Sequence, residues 1–359
     1  MSRVLIIAEA GVNHNGDEKL AFELVDAAYK AGADIVKFQT FKAKKLVISS
    51  ASQADYQVKN TRKQESQLAM LSRLELSYEV HHKLLAYCNN LGIDFLSTAF
   101  DSESLHFLVN DIGLKTLKIP SGEITNTPLV LKHAQTGCNL IVSTGMATLA
   151  EVETVLSVIA FGFISDTNIT PSNEAFQAAY FSEAGQKVLK EKVTLLHCTT
   201  EYPTPMADIN LKAMDTLASA FALPVGYSDH SAGITVPIAA VAKGATLIEK
   251  HFTLDNKLPG PDHKASLEPE ELIAMIKAIR ATEIALGDGI KGPRPSELKN
   301  KPIARKSLVA GGEIQKGDIF NENNLTVMRP GTGLSPSQYW QYLGESAQKE
   351  YRAGELIDE

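Results

Sequence analysis

The sequence predicts an α/β protein: a (β/α)8 TIM barrel followed by a small second domain without long helices. Three observations lead to this fold class. Eight short runs rich in β-branched residues recur through residues 1–288. Amphipathic stretches separate these runs, and several end on a glycine suited to a helix C-cap. The repeat is also the right size, because this barrel typically takes about 250 residues.

The eight predicted strands follow one another at spacings that leave room for a helix between neighbours. In chain order they are VLIIAEA, DIVKFQT, DFLSTAF, TLKIPSG, LIVSTGM, VTLLHCT, PVGYSDH and ATLIEKHF. Two connections are unusually long, residues 41–77 and 162–192. Long loops in a compact domain are usually functional or flexible. We predict that the first one covers a substrate, whereas the second suggests no role.

A change in composition marks the end of the barrel. The stretch GDGIKGPRPSELKNKP is rich in glycine, proline and charge, which is typical of a linker. Short apolar runs and tight turns follow it, without the periodicity of a long helix. We therefore predict a barrel over residues 1–288, a linker over 289–302 and a small, mostly β or irregular domain over 303–359.

Composition and charge exclude several classes of protein. The chain has 359 residues, 44% hydrophobic and 21% charged, with a net charge of −7, so no basic surface is available for nucleic acid or an anionic membrane. Its three cysteines lack paired spacing, which argues against a disulfide framework and favours a reducing compartment. The N-terminal apolar run is interrupted by Glu9 and is too short for a signal or membrane segment. These features predict a cytoplasmic protein that acts on small molecules.

Polar residues gather at the carboxyl ends of the predicted strands, where TIM barrels build their active sites. Lys37 and Lys118 stand inside otherwise apolar strands. A buried charge without a partner costs several kcal/mol, so each lysine requires an anion. Serine and threonine hydroxyls occur on neighbouring strands. A bound phosphate or carboxylate is therefore expected.

Two histidines, in GYSDHS and LIEKHF, end the last two predicted strands. These strands are neighbours in a barrel, so His230 and His251 can converge on one point. Imidazole is the commonest side-chain ligand of transition metals, and two imidazoles would leave an open site for an ion such as Mn²⁺. Two hydrogen-bonded core histidines are an equally open interpretation. In the following loop, Asp262 is either an acid that contacts the substrate or a solvated loop residue.

Ten short motifs together carry a resemblance to a known family. They are AEAGVNHNG, VKFQTFKA, STAFD, KIPSGE, STGMAT, HCTTEYPTP, GYSDHS, IEKHFTLD, GPDH and MRPGTG, in this order over essentially the whole chain. The chain resembles the bacterial N-acetylneuraminate (sialic acid) synthase family, which includes legionaminic acid synthases. The segment around ARKSLVAGGEIQKGDIF resembles the C-terminal antifreeze-like (SAF, β-clip) domain of that family.

The resemblance implies an enzyme that condenses phosphoenolpyruvate with an N-acetylated hexosamine and water. The products are a nonulosonic acid and phosphate, released by C–O cleavage. N-acetylmannosamine is the first expectation for the sugar, and 2,4-diacetamido-2,4,6-trideoxymannose, which leads to legionaminic acid, is the alternative. A carbohydrate-binding protein with an inert barrel is a remote alternative, because an inert scaffold gains nothing from buried lysines.

The resemblance also assigns roles to individual residues. Two histidines, His230 and His251, would bind Mn²⁺ or Mg²⁺. Thr200 stands where some members of the family have an asparagine near the phosphate. The residues expected to bind phosphoenolpyruvate are Lys37, Thr98, Lys118, Ser121, Ser143, Thr200 and Ser228.

The remaining roles concern catalysis and the sugar. Glu123, Glu9 and Asp262 would be catalytic, with Glu123 managing the proton of the attacking water. The resemblance further implies a domain-swapped homodimer, in which Arg329 reaches the sugar's N-acetyl group across the dimer. The residues expected around the sugar are Gln39, Asn60, Tyr202, Asp262 and Arg329.

Overall fold

The computed structural model describes residues 3–166 and 168–358. The chain divides into two compact units, Met1–Gly287 and Asp288–Glu359. Among the described residues, no helix combines the length and the apolar character needed to span a membrane.

The first unit is built around a closed barrel of parallel strands, which confirms the predicted fold class. Each strand pairs with the next along the chain, and β8 pairs with β1 to close the barrel. Within the described residues the strands are β1 (Leu5–Gly11), β2 (Ile35–Thr40), β3 (Asp94–Ala99), β4 (Thr116–Ile119), β5 (Asn139–Ser143), β6 (Val193–His197), β7 (Val225–Asp229) and β8 (Leu247–His251).

Helices connect these strands. They are α1 (Glu18–Ala31), α2 (Ala43–Leu46), α3 (Asp55–Thr61), α4 (Gln67–Leu74), α5 (Tyr78–Leu91), α6 (Ser102–His106), α7 (Thr127–Gln135), α8 (Leu149–Ile164), α9 (Asn173–Phe181), α10 (Glu183–Lys192), α11 (Lys212–Phe221), α12 (Thr235–Ala242) and α13 (Pro269–Leu286). A π-helical turn covers Phe107–Asp111, and 3₁₀ turns cover Ser121–Glu123, Met206–Asp208 and His263–Ala265.

Local sequence signals set the ends of the barrel helices. The side chain of Asp17 accepts hydrogen bonds from the backbone at the start of α1, and Ser77 does the same for α5. Both helices end on glycines with φ of 81°, Gly32 and Gly92, a left-handed conformation that costs other residues more. These caps fix where each chain segment returns to the barrel.

The two predicted long connections are folded. Residues 41–77 contain α2, α3 and α4, and residues 162–192 contain the end of α8 together with α9 and α10. The first connection carries a small apolar cluster of its own, separate from the main barrel core. Its buried members are Val12, Phe41, Met70 and Leu74, with Leu46, Leu71 and Phe100 packed against them.

The second unit contains a small antiparallel sheet of β9 (Ser307–Ala310) and β10 (Leu325–Met328), which fits the predicted antifreeze-like domain. Its helices are short: α14 (Pro295–Leu298), α15 (Lys301–Ala304) and α16 (Tyr339–Tyr342), with a 3₁₀ turn at Pro336–Gln338. The predicted linker, 289–302, thus lies in this unit and includes α14. The core of the unit is apolar and consists of Leu308, Ala310, Ile314, Phe320, Leu325, Ala347, Tyr351 and Ile357.

Candidate active site

A cavity of about 350 Å³ opens at the carboxyl ends of the barrel strands. Of the predicted site residues in the first unit, Asn60, on α3, does not line it, and Arg329 belongs to the second unit. The predicted residues that do line it are Glu9, Lys37, Gln39, Thr98, Lys118, Ser121, Glu123, Ser143, Thr200, Tyr202, Ser228, His230, His251 and Asp262.

A buried charge cluster forms one wall of this cavity. Lys37 Nζ lies 2.5 Å from Glu9 Oε2 and 3.5 Å from Glu249 Oε2. Lys118 Nζ donates to Glu249 Oε1 at 2.9 Å, and Lys37 also donates to Thr98 Oγ1 at 3.2 Å. All four charged side chains are at most 4% exposed. The lysines are therefore paired with protein carboxylates, a pairing that the sequence did not reveal.

The two carboxyl groups of this cluster differ in their proton affinity. Burial raises the pKa of Glu9, the positive charge of Lys37 lowers it and the negative charge of Glu249 raises it again. The result is a pKa of about 7. Burial alone would raise the pKa of Glu249 too, but Lys118 and Lys37 together lower it below its ordinary value. Glu249 is thus a permanent anion, whereas Glu9 can gain or lose a proton near neutral pH.

Hydroxyl groups surround the charge cluster. Ser228 Oγ donates to Glu249 Oε1 at 2.8 Å. Ser121 Oγ accepts from the backbone N–H of Gly145 at 3.0 Å, and a Cβ on that glycine would lie 2.7 Å from this oxygen. The buried Ser143 Oγ and Thr200 Oγ1 have no hydrogen-bond partner among the described residues. Because buried polar atoms are nearly always paired, these two hydroxyls are suited to contact a bound molecule.

Two imidazoles lie beside the cluster, with ring centroids 5.5 Å apart. The Nδ1–H of His230 donates to the carbonyl of Thr199 at 2.6 Å, and its Nε2 lies 3.2 Å from the hydroxyl of Tyr202. The Nδ1 of His251 is buried and has no hydrogen-bond partner among the described residues. Burial lowers the pKa of His230 to about 4 and that of His251 well below its ordinary value. Both rings are therefore neutral, as metal coordination requires.

A second buried ion pair joins the two strands that carry these histidines. Lys250 Nζ lies 2.6 Å from Asp229 Oδ2, both side chains are fully buried, and the two residues are register partners between β7 and β8. Lys250 also donates to the backbone carbonyl of Ser231. Because side chains alternate along a strand, this pair points away from the cavity that its sequence neighbours His230 and His251 face. The pair therefore ties together the two strand ends that carry the imidazoles.

The loop after β8 brings a further acid to the cavity. Asp262 is 8% exposed, and burial raises its pKa to about 7. Asn60 is buried close by, and its side-chain amide donates to the carbonyls of Pro261 at 2.7 Å and Tyr202 at 3.4 Å. Asn60 thus connects α3 to two loops that carry site residues.

Arg329 is exposed, and its Nε donates to the carbonyl of Ala304 within the second unit.

Some cavity residues were not among the predicted site residues. Glu249 is the most important of them, and its place two residues before His251 on β8 puts it on the same strand face. The residues of α4 form a second group, Gln67, Met70, Leu71 and Leu74. Their spacing of three and four residues is the signal that one helix face lines the cavity.

Comparison with known proteins agrees with this fold and identifies the family. The NeuB family matches residues 24–291 of the chain. The chain belongs to the NeuB family. The predicted family resemblance is thereby confirmed, and with it the interpretation of the chain as an enzyme.

Two relatives extend the match over nearly the full length. The chain is 50% identical over 359 residues to the N,N'-diacetyllegionaminic acid synthase of Campylobacter jejuni, covering 100% of both chains. It is 46% identical over 352 residues to the enzyme of the same name from Legionella pneumophila, covering 98% of this chain and 92% of that one. Among solved structures, the N-acetylneuraminic acid synthetase of Leptospira borgpetersenii matches with a TM-score of 0.66 and 34% identity, over 83% of this chain and 90% of that one.

Proposed function

We propose that this protein is an N,N'-diacetyllegionaminic acid synthase. It would condense phosphoenolpyruvate with 2,4-diacetamido-2,4,6-trideoxymannose and water, and release inorganic phosphate. The buried Lys37 and Lys118, set beside two neutral imidazoles at the barrel mouth, are the observation that carries this proposal. The names of the relatives at 50% and 46% identity favour the trideoxy sugar over N-acetylmannosamine.

The charge cluster is suited to hold phosphoenolpyruvate. Lys37 and Lys118 supply two buried cations, and the hydroxyls of Ser143 and Thr200 supply buried donors for its phosphate and carboxylate oxygens. The ligand brings further negative charge next to Glu9, which favours the protonated form of that carboxyl group. Glu9 would therefore take up a proton as phosphoenolpyruvate binds.

The histidine pair fits a divalent metal. Both rings are neutral, and the buried Nδ1 of His251 has no other partner among the described residues. No group of three or more histidine, cysteine, aspartate or glutamate side chains suited to a metal occurs among the described residues, so substrate or water would complete the coordination. A bound Mn²⁺ or Mg²⁺ would supply Lewis acidity toward the aldehyde oxygen of the open-chain sugar.

The acids of the site can move the protons that the reaction requires. C3 of phosphoenolpyruvate forms a bond to C1 of the sugar, and the aldehyde oxygen takes a proton, for which Asp262 with its raised pKa is a suitable donor. Water adds to C2, and its proton passes to a base, a role we assign to Glu123. As the C–O bond to phosphate breaks, the C2 hydroxyl passes its remaining proton to the departing phosphate, which gives the 2-keto acid and inorganic phosphate.

Phosphate release tests the proposal. The purified protein is incubated with phosphoenolpyruvate and Mn²⁺, with either 2,4-diacetamido-2,4,6-trideoxymannose or N-acetylmannosamine, with and without EDTA. We expect phosphate release that depends on the sugar and the metal and is faster with the trideoxy sugar. Faster release with N-acetylmannosamine would make the protein a sialic acid synthase. Release with neither sugar would refute the condensation.

A further inference from the structure

The active-site cavity has an apolar patch in addition to its charged wall. All seven residues of the small apolar cluster formed around the 41–77 connection line the cavity. They contact one another and form a separate cluster from the main barrel core, so this patch is continuous. We call it the apolar patch; its residues are Val12, Phe41, Leu46, Met70, Leu71, Leu74 and Phe100.

One helix supplies much of this patch. The cavity-lining residues of α4 are Gln67, Met70, Leu71 and Leu74, which follow the spacing i, i+3, i+4 and i+7 of a single helix face. Met70 is 2% exposed and Leu74 is 7% exposed, whereas Leu71 is half-buried. The N-cap Ser66, whose hydroxyl accepts from the backbone N–H of Ala69, fixes the start of this helix. Leu71 therefore presents an apolar side chain to the cavity from a defined position.

The chemistry of the proposed reaction orients the sugar between these two regions. The sugar's C1 must meet phosphoenolpyruvate at the charge cluster, so its C6 end extends away from the lysines. In the trideoxy sugar C6 is a methyl group, whereas in N-acetylmannosamine it carries a hydroxyl. A hydroxyl placed against apolar side chains loses its hydrogen bonds to water and gains none. A methyl group gains from the same contact.

We propose that Leu71, supported by Met70, determines specificity by receiving the C6 methyl group of the sugar. This inference rests on the proposed function and adds the residue that selects the substrate. Apolar pockets reject an added hydroxyl group by about 100-fold in kcat/KM. The wild-type enzyme should therefore prefer a 6-deoxy sugar over its 6-hydroxy counterpart by roughly 10- to 100-fold.

Four sugars separate the methyl group from the second acetamido group. They are N-acetylmannosamine, its 6-deoxy form, 2,4-diacetamido-2,4-dideoxymannose and 2,4-diacetamido-2,4,6-trideoxymannose. The preference for 6-deoxy over 6-hydroxy is measured within each pair by kcat/KM from phosphate release. In Leu71→Asn this preference should fall by about tenfold. The kcat/KM for the 6-hydroxy sugars should also rise, because the amide can pair with the hydroxyl, and misfolding cannot produce such a gain.

Leu68→Asn is the matched control. Leu68 is also a half-buried leucine of α4, but it does not line the cavity, so the 6-deoxy preference should stay at the wild-type value. Leu71→Ala provides a second variant without a new polar group, and it should lose part of the preference. An unchanged preference in both Leu71 variants would overturn the inference and leave the proposed function standing. A wild-type enzyme that releases phosphate with none of the sugars would overturn both.

Discussion

Replacing Glu249 with glutamine tests the charge cluster directly. The wild-type carboxylate accepts from Lys118 at 2.9 Å and from Ser228 at 2.8 Å, and it lies 3.5 Å from Lys37. Among the described residues, Lys118 has no other carboxylate within salt-bridge distance, whereas Lys37 keeps Glu9. Removing one partner of a buried ion pair costs about 3–5 kcal/mol. We expect about 3 kcal/mol for Glu249→Gln, because the amide oxygen can still accept from Lys118.

The assay is urea unfolding of the metal-free protein at pH 7.5, with and without saturating phosphoenolpyruvate. The variant should gain more stability from the ligand than the wild type does, because the ligand's negative charge replaces that of the lost carboxylate. Glu103→Gln is the control, since its ion pair with Lys45 is solvent-exposed and should contribute too little to resolve. A loss below about 1 kcal/mol in Glu249→Gln, with an unchanged ligand effect, would refute the view that Glu249 holds the lysines for the anion.

Four further predictions concern other parts of the site. Asp262→Asn should lose turnover yet stabilise the fold at pH 8. The pKa of Asp262 is higher in the folded state than in the unfolded state. The free energy of unfolding of the wild type should therefore fall by up to about 4 kcal/mol as pH rises from about 4 to 7. Urea unfolding at these two pH values measures this loss. His230→Ala should abolish phosphate release while circular dichroism shows that the variant is still folded. Lys250→Met should cost about 3–5 kcal/mol, because it leaves Asp229 buried without its cation, and it should raise the Mn²⁺ concentration needed for half-maximal activity. Mixing Arg329→Ala chains with His230→Ala chains should restore partial activity if sites are shared between subunits, and verified heterodimers without activity would contradict sharing.

The sequence predicted the barrel and the charged and imidazole side chains at its strand ends, because both follow from local periodicity. A strand buried on two faces reads as a short β-branched run, and a polar residue inside such a run stands out. Lys37, Lys118, His230 and His251 were found in this way. The carboxyl ends of parallel strands share one edge of the barrel, which brought these residues together without any knowledge of the packing.

The partners of these residues could not be read from the sequence. The contact between Lys118 on β4 and Glu249 on β8 crosses the barrel interior and depends on its closure. Glu9 and Lys37 are register partners on the neighbouring strands β1 and β2, a register that the sequence does not reveal. The short helices of the 41–77 connection were not predicted either. Helices of this length are not stable alone and depend on tertiary packing, which the apolar patch supplies for α2 and α4. The hydrogen bond from Asn60 to the carbonyl of Pro261 also depends on tertiary packing and not on local sequence.

A competition between two sugars is the most direct test of the account. The enzyme receives Mn²⁺, phosphoenolpyruvate, 2,4-diacetamido-2,4,6-trideoxymannose and N-acetylmannosamine at equal sugar concentrations in one vessel. The products are identified by mass spectrometry early in the reaction. We expect N,N'-diacetyllegionaminic acid in large excess over N-acetylneuraminic acid. An excess of N-acetylneuraminic acid, or the formation of neither nonulosonic acid, would contradict the proposed function.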